Sequence, residues 1–185
     1  MTRKSLADIA TLSSRIVYEN RWLRLREDGI RRRDGSESIY SVVEKPNLAV
    51  IAALHADRRL HLVQQFRYPI GARFWELPQG AREGRPDAGY LELAHGELRE
   101  ETGLRAAQMV DAGELQLAPG FSSQRYHVFL ATGLTQGQSA LEQSEQDLIA
   151  RAFPLVEVER MIRDGEIRDA TTVAALGLLR LKNLI

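Results

Sequence analysis

The chain has 185 residues, enough for one domain with an appendage and for a sizeable core. Lys+Arg and Asp+Glu each number 25, so the formal charge is zero and partners selected by bulk charge are excluded: no nucleic acid and no membrane surface is expected. There is no cysteine, which rules out disulfides, thiolate zinc sites and thiol nucleophiles and fits a cytoplasmic protein, and no apolar run is long enough to span a membrane.

Residues 1–14 lack the apolar core of a signal peptide and read as a short tail or a helix. Ile16 to Ile30 alternates loosely, as in Trp22-Leu23-Arg24-Leu25-Arg26. Asp34-Gly35 is a strong hairpin signal, and Ile39 to Val43 reads as the return strand. This hairpin unit closes near Pro46, which predicts a small N-terminal region over 1–47 and a main domain over 48–185. Leu48 to Leu54 is a continuous apolar run, short enough for a buried strand. Leu60 to Phe66 reads as a strand after an Asp57-Arg58-Arg59 turn. Phe74 to Leu77 is extended, and Pro78 bars further ladder pairing.

A helix is predicted from about Ala88 to Glu101, with Asp87 as N-cap, Leu91, Ala94 and Leu98 as its buried stripe, and Gly103 as C-terminal cap. Gly89 and Gly96 weaken it by about 1 kcal/mol each relative to alanine. Strands follow at about Gln108 to Leu117 and Tyr126 to Leu134, separated by the turn-rich Ala118 to Ser123. Gly137 to Asp147 is a polar loop. Pro154 to Ile162 reads as a helix with proline in its first turn, and Asp169 caps a last helix carrying Val173, Leu176 and Leu179. Strands mixed with separate helices predict an α+β class.

Chemistry concentrates in Glu97-Leu98-Arg99-Glu100-Glu101-Thr102-Gly103-Leu104. Glu97 lies three residues before Glu100 and four before Glu101, so the carboxylates share much of one helix face. Like charges crowded this way favour a positive partner, and a hard divalent cation such as Mg2+ suits oxygen ligands and phosphate substrates. A solvated helix face is the bland alternative. The four histidines show no metal-ligand spacing, and neither a P-loop, a dinucleotide glycine fingerprint nor a G-x-S-x-G elbow is present.

With the lead-in Trp75-Glu76-Leu77-Pro78-Gln79-Gly80, this stretch resembles the Nudix box, G-x5-E-x7-R-E-U-x-E-E-x-G-U with U apolar. Glu97, Leu98, Glu100, Glu101, Gly103 and Leu104 match in register. The box arginine falls on Gly96 and its first glutamate on Ala88, and Gly80 lies two residues too early. The resemblance implies an α/β/α sandwich with a mixed sheet, preceded by the N-terminal β-hairpin domain. It also implies Mg2+, or Mn2+ in its place, held by Glu97, Glu101, Glu100 and the carbonyl of Gln79.

Residues 17–180 further resemble the ADP-ribose and nucleotide-sugar pyrophosphatase branch, through Tyr18-Glu19-Asn20-Arg21-Trp22, Gln65-Phe66-Arg67-Tyr68-Pro69, Pro119-Gly120-Phe121-Ser122 and Gly165-Glu166-Ile167 with Asp169-Ala170. That branch implies a homodimer with N-terminal exchange. It implies substrate contacts from Arg67, Trp22, Glu76, Gly120 and Gln124, the last standing where relatives carry an acid. Trp22 reads equally as a core tryptophan; a solvated strand end is the lesser alternative for Arg67. The catalytic base falls in Leu141 to Asp147: Glu145 is favoured, Glu142 is the fallback, and Asp147 is a further metal ligand. The implied reaction is hydrolysis of ADP-ribose or a related nucleoside diphosphate sugar, with Glu145 and Glu100 in catalytic roles. The same chemistry on GDP-mannose or a dinucleoside polyphosphate, or a nucleotide-sugar-binding module without catalysis, fits the same residues.

Overall fold

The computed structural model describes residues 8–81, 89–138 and 147–185. Within them the elements run β1 (Ile9–Glu19), β2 (Arg24–Arg32), β3 (Glu37–Glu44), β4 (Leu48–Leu54), β5 (Arg59–Arg67), β6 (Ala72–Glu76), β7 (Gln79–Ala81), α1 (Tyr90–Thr102), β8 (Leu104–Gln116), β9 (Arg125–Gln136), β10 (Ile149–Pro154), α2 (Leu155–Arg163) and α3 (Ala170–Leu181). Two compact units divide the chain: Met1–Pro46 with Gln116–Gln124, and Asn47–Leu115 with Arg125–Ile185.

The first unit is a three-stranded antiparallel sheet in the order β1-β2-β3. Of the tail or helix expected over 1–14, residues 1–7 lie outside the described residues and 9–14 are instead the start of β1, which pairs with β2 from Ile9↔Arg32 to Glu19↔Arg24. Ile, Thr, Val and Tyr suit a strand, and the neighbouring strand supplies backbone partners that the segment cannot supply itself. The loose alternation of residues 16–30 is broken by Asn20, whose side-chain oxygen accepts the N–H groups of Trp22 (2.9 Å) and Leu23 (3.0 Å). The Asp34-Gly35 turn forms as expected. Gly35 takes φ +86°, a value that a side chain would strain, and Asp34 Oδ1 accepts from the Ser36 N–H at 2.9 Å. Residues 116–124 join this unit through Val43, whose N–H donates to the Phe121 carbonyl at 2.8 Å.

The second unit is built on a mixed sheet in the order β10-β5-β4-β9-β8, with β6 on β5 and β7 on β4. β4 runs parallel to β9 and antiparallel to β5. Its unbroken apolar sequence has the expected cause: both faces are covered. Ala49, Ile51 and Ala53 pack with Phe129 against Ala94 and Leu98 of α1. Val50 and Ala52 pack with Val128 and Leu130 against Val158 and Met161 of α2 and Ala175, Leu176 and Leu179 of α3. The result is the α/β/α sandwich expected from the sequence. β7 and β10 were not foreseen, and α2 starts one residue after Pro154, which serves as its N-cap.

α1 ends as predicted: Gly103 adopts φ +73° and donates its N–H to the Arg99 carbonyl at 2.9 Å. It starts at Tyr90 with Gly89 as N-cap, and Asp87 lies outside the described residues. The buried stripe is Ala94, Leu98 and Glu101, whereas Leu91 is 51% exposed. Tyr90 and Leu93 take the packing positions expected of Leu91. Gly96 sits mid-helix, and a Cβ there would meet only Glu100 Oε1, at an ordinary 3.8 Å. Gly96→Ala should therefore stabilise the fold by about 1 kcal/mol, raising the melting temperature by about 2–4 °C, readable by calorimetry. α3 is capped by Asp169, which accepts the Thr172 N–H at 2.8 Å. Its buried face uses Thr172, while Val173, expected inside, is exposed.

Where β4 and β5 leave the sheet's hairpin end, they separate. Their direct pairing covers only Ala53↔His61 and Leu54↔Leu60. Beyond it β5 pairs with β6 up to Val63↔Glu76, and β4 pairs with β7 at Val50↔Gln79. The segment Trp75–Gly80 thus crosses from the edge of one strand to the edge of the next as an arch.

At the closed end, His55 Nε2 and His61 Nδ1 lie 3.2 Å apart. Burial, then the charge of His55 and of Arg59, pushes His61 down to about 4. The folded state therefore binds fewer protons than the unfolded state between pH 4 and 6.5, and stability is lost as pH falls through that window. The imidazole is only partly buried, so after solvent screening the loss is about 1–2 kcal/mol between pH 7 and pH 4.5. His61→Gln should flatten this acid limb in melting curves taken across the same pH range.

Candidate active site

Two acidic side chains of α1 converge on one peptide of the arch. Gln79 donates its backbone N–H to Glu101 Oε2 at 3.0 Å, and Glu101 is 2% exposed. The Glu97 carboxylate lies directly over the α-carbon of Gly80, in the space a Cβ would fill. A carboxylate held this close needs glycine beneath it, which gives the box glycine a steric role despite its early position in sequence. Glu97 and Glu101 are four apart on the helix and so stack on the face toward β7. The Glu100 carboxylate pairs with Arg99 Nη2 at 3.0 Å.

The arch is tied from three directions. Leu77 donates its N–H to Thr172 Oγ1 of α3 at 2.9 Å, and Thr172 in turn donates to Asp169 at 2.7 Å. The Pro78 carbonyl accepts from the Ile51 N–H at 2.8 Å. Glu76 is 3% exposed and binds Arg67 as a fork: Arg67 Nε donates to Oε1 at 2.9 Å and Nη2 bonds Oε2. Gln79 Nε2 donates to the same Oε2 at 2.9 Å. The hydrogen bonds it donates to Glu76 raise Arg67 above the usual guanidinium range against the effect of burial, and Glu101 and Asp169 add attraction. The fork uses the Nε–Nη2 edge of the guanidinium.

The donor set fits a hard divalent cation. Two carboxylates and the Gln79–Gly80 peptide are oxygen-rich, no sulfur is present, and Gly80 leaves the space. Among the described residues no three His, Asp or Glu side chains form a ready-made cage. Glu97 and Glu101 are the pair gathered at the arch, and the expected third acid, Glu100, is directed to Arg99. Asp147, expected as a further ligand, is instead gripped by Arg73, whose Nη2 pairs with its carboxylate and whose Nη1 donates to its carbonyl at 3.1 Å. Glu145, Glu142 and Ala88 lie outside the described residues.

The remaining expected residues belong to the first unit. Trp22 is not a core tryptophan: it is 47% exposed, carries the Arg21 guanidinium 4.2 Å above its ring, and lines a hollow of about 290 Å³ with Glu19, Asn20, Arg24 and Glu44. Gly120 is exposed, and its carbonyl accepts from the Tyr40 hydroxyl at 2.8 Å. Gln124, expected at a sugar contact, is 3% exposed and donates its side-chain N–H to the Pro46 carbonyl at 2.6 Å. Its amide closes the first unit. Sequence reasoning missed Thr172 and the coupling of Gln79 to Glu76. The only trace of either was a threonine three residues after the Asp169 cap.

Residues 9–43 match the nucleoside diphosphate sugar hydrolase N-terminal domain. The chain is 33% identical over 170 residues to an ADP-ribose pyrophosphatase of Mycobacterium tuberculosis, covering 91% of this chain and 82% of that protein. It is 30% identical to a GDP-mannose pyrophosphatase of Shigella dysenteriae, covering 84% of this chain and 86% of that protein. A solved structure described as an ADP compounds hydrolase shares the fold, with a TM-score of 0.82 and 21% identity over 98% of this chain and 100% of that one. The acidic helix, the arch it closes on and these relatives together place the chain in the Nudix hydrolase superfamily, within its ADP-ribose pyrophosphatase branch.

Proposed function

We propose that this hydrolase cleaves the pyrophosphate of ADP-ribose or a related nucleoside diphosphate sugar, releasing a nucleoside monophosphate and a sugar phosphate. The observation that carries this reading is the meeting of Glu97 and Glu101 at Gln79 and Gly80. In it, Glu97, Glu101 and the Gln79 carbonyl hold Mg2+, with Glu100 as an outer acid. The metal, when bound, neutralises phosphate oxygens and lowers the pKa of water. Arg67, preset by Glu76, offers its Nη1 side to a phosphate. Glu145 is the proposed base for the attacking water. Trp22 offers an exposed ring face to a nucleobase, worth about 1–3 kcal/mol when stacked. Asp147 and Gln124 are left out, since Arg73 and Pro46 engage them.

We further propose a homodimer in the cytoplasm. Ile9, Leu12, Ile16, Val17 and Tyr18, which β1 leaves exposed, support dimerisation. A solution mass of one chain in sedimentation would remove that part.

The similarity to a GDP-mannose pyrophosphatase favours a second reading of the substrate, with the same chemistry on GDP-mannose. The deciding experiment incubates the protein with ADP-ribose, GDP-mannose and a dinucleoside polyphosphate under Mg2+ or Mn2+ and resolves products by chromatography. AMP with ribose 5-phosphate is expected. Tight binding of every compound without any product would leave a binding module and end the hydrolase reading.

A further inference from the structure

Glu76 is a carboxylate buried within the arch, and in the proposed chemistry it serves only to preset Arg67. A buried carboxylate persists only when donors satisfy it. Arg67 takes both of its oxygens and Gln79 Nε2 shares Oε2. Gln79 also donates its backbone N–H to Glu101. A continuous line of hydrogen bonds therefore runs Arg67–Glu76–Gln79–Glu101, from β5 to the acidic helix.

We infer that Glu76 is a positioning residue: acting through Gln79 and Arg67, it holds the Gln79–Gly80 peptide against Glu101 and Glu97, and it contacts no substrate. This rests on the metal-site reading above, and it replaces the substrate contact expected for Glu76 from the sequence. The chemistry of the site is specific to an acid. A carboxylate accepts from three donors at once, whereas a glutamine at this position would turn an NH2 toward an N–H of Arg67 or Gln79. Gln79 would then lose the anchor that sets its side chain, and its peptide would be free to shift beneath Glu101.

The test is Mn2+ binding without substrate, followed by the loss of free Mn2+ signal in electron paramagnetic resonance, with folding checked by melting. The parent is compared with Glu76→Gln, Gln79→Ala and, as control, Glu101→Gln. Removing an outer partner of a metal site weakens affinity by roughly 10–100-fold, so Glu76→Gln is expected to lose about tenfold and Gln79→Ala at least about threefold. Turnover should return at raised Mn2+, and in Gln79→Ala, where the Arg67–Glu76 pair is intact, the KM for substrate should be little changed. Mn2+ affinity equal to the parent's in both variants, or a raised KM with unchanged Mn2+ affinity in Gln79→Ala, would overturn the inference. If Glu76→Gln fails to fold, Gln79→Ala decides, since it leaves the Arg67–Glu76 pair intact. Equal Mn2+ binding by the parent and Glu101→Gln would overturn the metal-site reading itself, and this inference with it.

Discussion

Glu101→Gln is expected to lower kcat/KM on a nucleoside diphosphate sugar by about 10³-fold or more, equivalent to about 4 kcal/mol of transition-state stabilisation. The substitution is nearly isosteric. The glutamine carbonyl oxygen still accepts the Gln79 N–H now bonded at 3.0 Å, so the arch stays in place. Stability should change by no more than about 1 kcal/mol, the usual net worth of one hydrogen bond. What is lost is one negative charge in a site 2% exposed, where solvent cannot replace it. Steady-state kinetics beside a thermal melt separates these effects. Turnover equal to the parent's would remove Glu101 from the chemistry altogether.

Gly80→Ala is expected to be the reverse of an ordinary glycine substitution, damaging activity far more than stability. The new methyl group would occupy the place of the Glu97 carboxylate, as close to its carbon as to its oxygens. The obstacle is the end of a flexible side chain, so Glu97 rotates away and the backbone of β7 does not have to move. We expect a loss of about 100-fold in kcat/KM, the scale associated with a displacement of about 1 Å at a reacting centre. The melting temperature should stay within about 3 °C of the parent's. A second substitution, Glu97→Ala, should cost little more on the Gly80→Ala background, because both remove the same carboxylate from the same place. Additive losses would show that Glu97 acts somewhere other than above Gly80.

Much of this architecture is legible in the chain because its causes are local. The apolar run of β4, the Asp34-Gly35 turn, the Gly103 and Asp169 caps and the four-residue spacing of Glu97 and Glu101 each follow from neighbours within one or two turns. The expectations that failed depended on distant partners. Ile9–Glu19 has no buried face of its own, and only β2 makes it a strand. Leu91 and Val173 have the right spacing for a helix stripe but are left exposed by α1 and α3. Helical spacing sets which residues share a face; the position of the sheet sets which of them are covered.

The same division runs through the site. Sequence alone determined that this chain carries a Nudix-type acidic helix with a glycine-bearing lead-in, because motif residues are counted along one chain. It could not determine what those acids touch. Glu76 pairs in the ladder with Val63, four positions along β5 from Arg67, yet the long arginine side chain reaches back to it. Asp147 meets Arg73 across 74 residues of chain, and Leu77 meets Thr172 across 95. Tertiary structure decided which carboxylates face the arch, which are neutralised by arginine and which glycine must stay bare. Hydrogen bonds and steric contact act over a few ångströms, and only the folded chain brings these residues within that range.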